Sequence, residues 1–183
     1  AVLIGPTPQR PTGVAALEQE GGTWVVTCFG YAGHHPPADR EGWLAFAGNQ
    51  LPLDFGEALH AAEPLDDLHQ HRFPANHRRR YDKLTRFPDG LLVTGDAMCS
   101  FNPIYGQGMT VAAMEALCMR EVLKHGADDL PRRFFKVAAE PVGEAWKLAV
   151  GADLSMPEQI VPGPRPRAAR AANRYLDQVV ATA

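Results

Sequence analysis

The chain has 183 residues, 45% of them hydrophobic and 21% charged, the proportions of an ordinary globular protein with room for one sizeable core or two small ones. Its 18 Lys and Arg against 21 Asp and Glu leave a formal net charge of -3, which argues against a dedicated nucleic-acid binder. No stretch approaches the roughly 20 apolar residues that span a bilayer, and Cys28, Cys99 and Cys118, odd in number and widely spaced, suit neither a disulfide scaffold nor a structural zinc knot. With no signal peptide visible, a cytoplasmic location is expected. The sequence opens Ala-Val-Leu-Ile-Gly without an initiator Met, as if entering a strand midway, and a truncated or processed polypeptide is expected.

In chain order, Ala1–Ile4 reads as a short strand broken by Gly5-Pro6. Val14–Glu20 and Thr23–Tyr31 read as a hairpin about Gly21-Gly22, since glycine takes φ > 0 at both turn positions without a Cβ clash. Trp24, Val26 and Cys28 fall on one face and Val25, Thr27, Phe29 and Tyr31 on the other, so the sheet is expected to be covered on both sides. Asp39 is placed to cap a helix from Arg40 to Gly48 whose buried stripe is Trp43, Leu44, Phe46 and Ala47. A second short helix is predicted over Asp54–Ala62 and an edge strand around Leu68–Phe73. Phe87-Pro88-Asp89-Gly90 reads as a turn before an apolar strand, Leu91–Thr94, that ends on Gly95-Asp96.

Gly106–Lys124 carries the strongest helical pattern. Between Met109 and Leu123 only Thr110, Glu115, Arg120 and Glu121 are polar, so enclosure on most sides is expected, with Gly126 as the stop. A further helix starts near Leu130 with Pro131 in its first turn and Phe134, Phe135 and Ala138 inward, and Pro141 is expected to kink or restart it. Pro162–Pro166 reads as a linker and Arg167–Ala181 as a closing amphipathic helix.

The chemistry-bearing segment runs from Leu91 to Met109. A strand ends at Gly95, where backbone can approach a ligand closely, and Asp96 follows as a carboxylate able to accept hydrogen bonds from polyol hydroxyls. A loop containing Pro103 then delivers Gly106-Gln107-Gly108 into a helix N-terminus, whose unpaired N–H groups and positive dipole end favour negative charge. The plain alternative is a strand, a glycine turn and a core helix with Asp96 as its cap.

GDAMCSFNPIYGQGM resembles the second flavin motif of the FAD-dependent aromatic hydroxylases, the para-hydroxybenzoate hydroxylase-like monooxygenases. Gly95, Asp96, Ala97, Pro103, Gly106, Gly108 and Met109 each meet a motif position, and Arg72–Asn76 followed by Arg78–Tyr81 is also similar to bacterial flavoproteins of this class. The resemblance implies an α/β chain of α+β character, a partial FAD/NAD(P)-binding fold with an antiparallel substrate-domain sheet and C-terminal helices. Residues 1–86 would belong to the substrate domain, 87–126 to the end of the FAD domain and 127–183 to a helical tail. It implies that Asp96 bonds the ribityl chain of FAD, that the Pro103 loop lies beside the ring, and that the amides of Gly106, Gln107, Gly108 and Met109 face its N1 and C2 edge. In the family NAD(P)H reduces the flavin, oxygen forms a C4a-hydroperoxide, and a small, usually aromatic substrate is hydroxylated.

The departures are equally specific. The family opens on strand–GxGxxG–helix, which holds the ADP half of FAD, and no such unit is present; Gly106-Gln107-Gly108 is followed by Val111 in place of a third glycine and lies well after its nearest strand. The family's intermediate Asp-Gly motif also lacks a counterpart, since Asp89-Gly90 reads as a turn. The chain is therefore expected to be the C-terminal portion of a larger flavoprotein, its partners a small-molecule substrate and the N-terminal FAD-binding segment. The alternative is a non-catalytic binding module or remnant of such an enzyme, and a nucleic-acid or anion site over His69–Arg80 ranks third.

Other signals are weaker. His69, His71 and His77 lack an evident further ligand, so no metal is expected. Arg78–Arg80 read as a solvated or carboxylate-paired strand end. Ser100 and Ser155 lie in no GxSxG, and Cys99 reads as a small packing residue. No general base is assigned.

Overall fold

In a computed structural model of the protein, residues 1–167 and Ala171 are described. Among them the architecture is mixed α+β, with four α-helices and two small antiparallel sheets. The chain forms two compact units, one from Ala1–Arg72 with the described residues from Leu154 onward, the other Phe73–Asp153. Apart from Arg167 and Ala171, the helix predicted over Arg167–Ala181 lies outside the described residues.

The first unit is a meander of β1 (Val2–Ile4), β2 (Thr12–Glu18) and β3 (Trp24–Gly30), in that order and antiparallel throughout. Val2 pairs with Ala16 and Ile4 with Val14, while Val14 faces Cys28 and Ala16 faces Val26. Alternation along each strand places those six side chains on one face. There α1 (Arg40–Gly48) and α2 (Leu53–Ala61) contribute Trp43, Ala47, Phe55 and Leu59, with Leu51 between them. Asp39 starts α1 as expected, its carboxylate accepting the Gly42 N–H at 2.8 Å. Gly13 is tolerated near the start of β2 because the Phe29 ring lies across it, and a Cβ there would collide with that ring.

Among the described residues, no helix covers the opposite face. Leu3, Leu17 and Val25 are exposed, against the expectation of cover on both sides, because both helices that follow pack onto the same face. No strand forms over Leu68–Phe73 either; Asp66, Asp67 and His69 lie in solvent, and the residues that do pair come later.

In the second unit β4 (His77–Arg78) pairs with β5 (Cys99–Ser100), and α3 (Gly108–Leu123) packs on α4 (Leu130–Asp153). Phe134, Phe135, Ala138, Val142, Ala145 and Ala149 recur on one side of α4 at helical spacing and are buried with Met98, Cys99, Phe101 and Val111. Tyr81 stacks on Phe135 at a centroid distance of 5.1 Å, and Phe87 meets Phe135 edge-on at 4.8 Å. Three sequence expectations need correction here. Pro141 does not restart the helix, since α4 runs from Leu130 to Asp153 through it; the carbonyl that loses its helical donor belongs to Val137, an exposed residue whose side of the helix water can reach. Leu91–Thr94 is not a strand, because no described segment pairs with it. Helix α3 is not enclosed: α4 covers one side, where Val111, Glu115 and Val122 are buried, while Met109, Met114, Leu117 and Leu123 are exposed. No helix among the described residues is long and apolar enough to cross a membrane.

Candidate functional site

Residues 95–109 form two single-turn helices, Gly95–Ala97 and Pro103–Tyr105, separated by β5 and followed by α3. Gly106 closes the second turn at φ 62°, a left-handed conformation that a side chain would strain, and its N–H bonds the Pro103 carbonyl at 3.0 Å. Gln107 stands at the N-cap of α3, but its side chain turns away and donates to the Ala145 carbonyl at 3.2 Å. The first turn of α3 therefore has no side-chain cap and no acidic residue of its own.

Asp96 stands beside that turn. A Cβ placed on Gly108 would lie 3.8 Å from Asp96 Oδ1, in ordinary van der Waals contact, so the carboxylate stands close to the helix start. Asp96, Pro103, Gly106 and Met109 are exposed, Met109 at 87%, whereas Gly95, Gln107 and Gly108 are partly buried. The structure thus brings Asp96 and Gly108 together at an open helix N-terminus. Such an opening offers N–H donors and a positive dipole end beside a polyol-accepting carboxylate.

Side chains, more than regular structure, hold this segment. Glu115, which sequence reading passed over as one of four polar residues on α3, is fully buried, and its Oε2 accepts the Gly95 N–H at 2.6 Å. Burial pushes its carboxyl above the ordinary range; the Gly95 hydrogen bond opposes that shift and the Asp96 charge adds to it. Among the described residues Oε1 has no hydrogen-bond partner. The signal was available in the spacing, since Glu115 is one turn beyond Val111 on the inward stripe.

The second loop is held by Asn76. Its Oδ1 accepts the Asn102 N–H at 2.6 Å and its Nδ2 donates to Asp153 Oδ2, while the Tyr105 hydroxyl donates to Asp153 Oδ1. The neighbouring arginines also have structural partners. Arg78 donates to the Ala139 carbonyl, Arg79 to that of Ala97, and Arg80 forks onto both oxygens of Asp82. His69 faces Asp66 in solvent. Among the described residues no three His, Cys, Asp or Glu side chains gather as a metal site. Cys99 is a core residue whose thiol burial pushes up to about 11, which keeps it protonated and unreactive near neutrality.

No family model matches the chain. Along its whole length it is similar to Protein Rv3254 of Mycobacterium tuberculosis, 37% identical over 186 residues, and it spans 39% of that protein's length.

Proposed function

We propose that the chain is the C-terminal portion of an FAD-dependent oxidoreductase, a monooxygenase that uses NAD(P)H and O2 on a small, aromatic organic substrate. The observation that carries this reading is the exposed Asp96 carboxylate standing beside the uncapped first turn of α3, against Gly108. These residues fit the ribityl and ring portions of a flavin: the carboxylate accepts from hydroxyls, and the N–H groups at the helix start suit an electron-rich carbonyl edge. Bound there, the flavin supplies the redox chemistry.

This chain's own residues bind and orient. Asp96 holds the polyol chain, Gly106 turns the backbone into α3, whose first amides are those of Gly108 and Met109, and Pro103 opens the loop beside them. Gln107 ties the loop to α4. The exposed side of α3 and the unpaired residues 91–94 are surfaces that an N-terminal nucleotide-binding segment would cover. A relative matching the whole chain yet more than twice as long supports reading it as part of a longer polypeptide. A cytoplasmic setting accompanies this reading, since NAD(P)H is supplied there.

The test is to purify the complete polypeptide with FAD and record a bound-flavin spectrum. Asp96→Ala is expected to weaken FAD retention about tenfold, the worth of one charge-assisted hydrogen bond. A protein that takes up no flavin under any condition defeats the proposal, while flavin uptake without NAD(P)H consumption points to a non-catalytic descendant.

A further inference from the structure

Glu115 is placed where an apolar side chain would serve the core better. It lies on the inward stripe of α3 between Val111 and Val122, fully buried, and a carboxyl there forfeits its hydration. One oxygen recovers a single backbone bond, at 2.6 Å to Gly95, and the other recovers none among the described residues. A well-packed hydrophobe of similar volume at such a place is often neutral or stabilising. What Glu115 gives in return is local: its one hydrogen bond ends on the residue before Asp96.

We infer that Glu115 is a positioning residue for Asp96, its buried carboxyl gripping the Gly95 N–H and so fixing the turn that sets the Asp96 carboxylate across the start of α3. The inference rests on the flavin reading for what Asp96 holds, and on this structure alone for how Asp96 is held. Ionised or neutral, Glu115 keeps an acceptor for Gly95, because a protonated carboxyl carries its hydrogen on Oε1 and leaves Oε2 as a carbonyl. The grip therefore survives the conflicting influences of burial and neighbouring charge.

Two measurements separate the inference from the reading it builds on. In the first, the amide proton of Gly95 is observed by NMR in the 183-residue chain without ligand. A short bond to a carboxyl moves it well downfield. Glu115→Gln, which retains an acceptor, keeps it there; Glu115→Met, of similar bulk and without one, returns it to the ordinary range while the melting temperature holds or rises. Should Glu115→Met fail to fold, Glu115→Asp, one methylene short of Gly95, is expected to release the proton in the same way.

In the second, FAD affinity is measured in the complete polypeptide. Glu115→Met is expected to weaken it about tenfold and Glu115→Gln far less. The double variant with Asp96→Ala should bind no worse than Asp96→Ala alone, because Glu115 acts through Asp96. An ordinary Gly95 shift in the unaltered chain overturns the inference. So does unchanged affinity in Glu115→Met, or an equal loss whether or not Asp96 is present. If no form binds FAD while the Gly95 proton responds as described, the flavin reading falls and the grip on the turn stands.

Discussion

The two units solve the same packing problem by different means. In Ala1–Arg72 the backbone does most of the holding: three strands share a continuous ladder, and the side chains beneath it that lose all contact with solvent are small, Val14, Ala16 and Ala47 at 0% exposure. In Phe73–Asp153 the only strands are two residues long, and order comes from side chains. Phe134 and Phe135 anchor an aromatic cluster, while Glu115, Asn76 and Asp153 reach the backbone or side chains of the loops around it. The difference teaches where a ligand site can form. Ladder hydrogen bonds consume backbone donors; loops held by side chains leave more of those donors for a ligand and still keep their shape.

The contrast is broken most directly at Phe134. Phe134→Ala is expected to cost the second unit about 3–5 kcal/mol, read by urea denaturation with Trp146 fluorescence as the probe. Val14→Ala, the corresponding truncation in the first unit, should cost about 2 kcal/mol, since it removes two methylene equivalents beneath a ladder that remains intact. Equal losses at both positions would erase the distinction. Asn76→Ala sharpens it: losing the bonds to Asn102 and Asp153 should cost about 1–2 kcal/mol and speed hydrogen exchange at the Asn102 amide, with little effect on exchange in β2.

The last prediction is a slope, not a step. Glu115 has its carboxyl pKa raised on folding, so its contribution to stability is fully present below the unfolded Glu range and is lost as pH rises through the raised folded value. Asp82 runs the other way. The Arg80 fork lowers its pKa, so its contribution is present above the unfolded Asp range and is lost as pH falls through the lowered value. Plotting stability against pH for the unaltered protein and for Glu115→Met should therefore give curves that separate as pH rises past the ordinary carboxylate range. Parallel curves would show that Glu115 is solvated.

Local signals were legible. Asp39 and the apolar spacing behind it marked α1 to the residue, Gly21-Gly22 marked the hairpin, and the run from Met109 to Leu123 marked α3. Each of these is written into neighbours a few positions apart. The closeness of Asp96 to the helix start agrees with the order read from the sequence, a carboxylate after Gly95 and then a glycine turn into α3.

What escaped the sequence depended on partners far along the chain. An apolar run such as Leu91–Thr94 is a strand only when another segment bonds to it, and an apolar helix such as α3 is enclosed only when something covers each side. Glu115 is the sharpest case. Its letter fixes a carboxyl on the inward stripe of a helix, but only tertiary packing determines that this carboxyl meets Gly95, since the bond joins residues 20 positions apart.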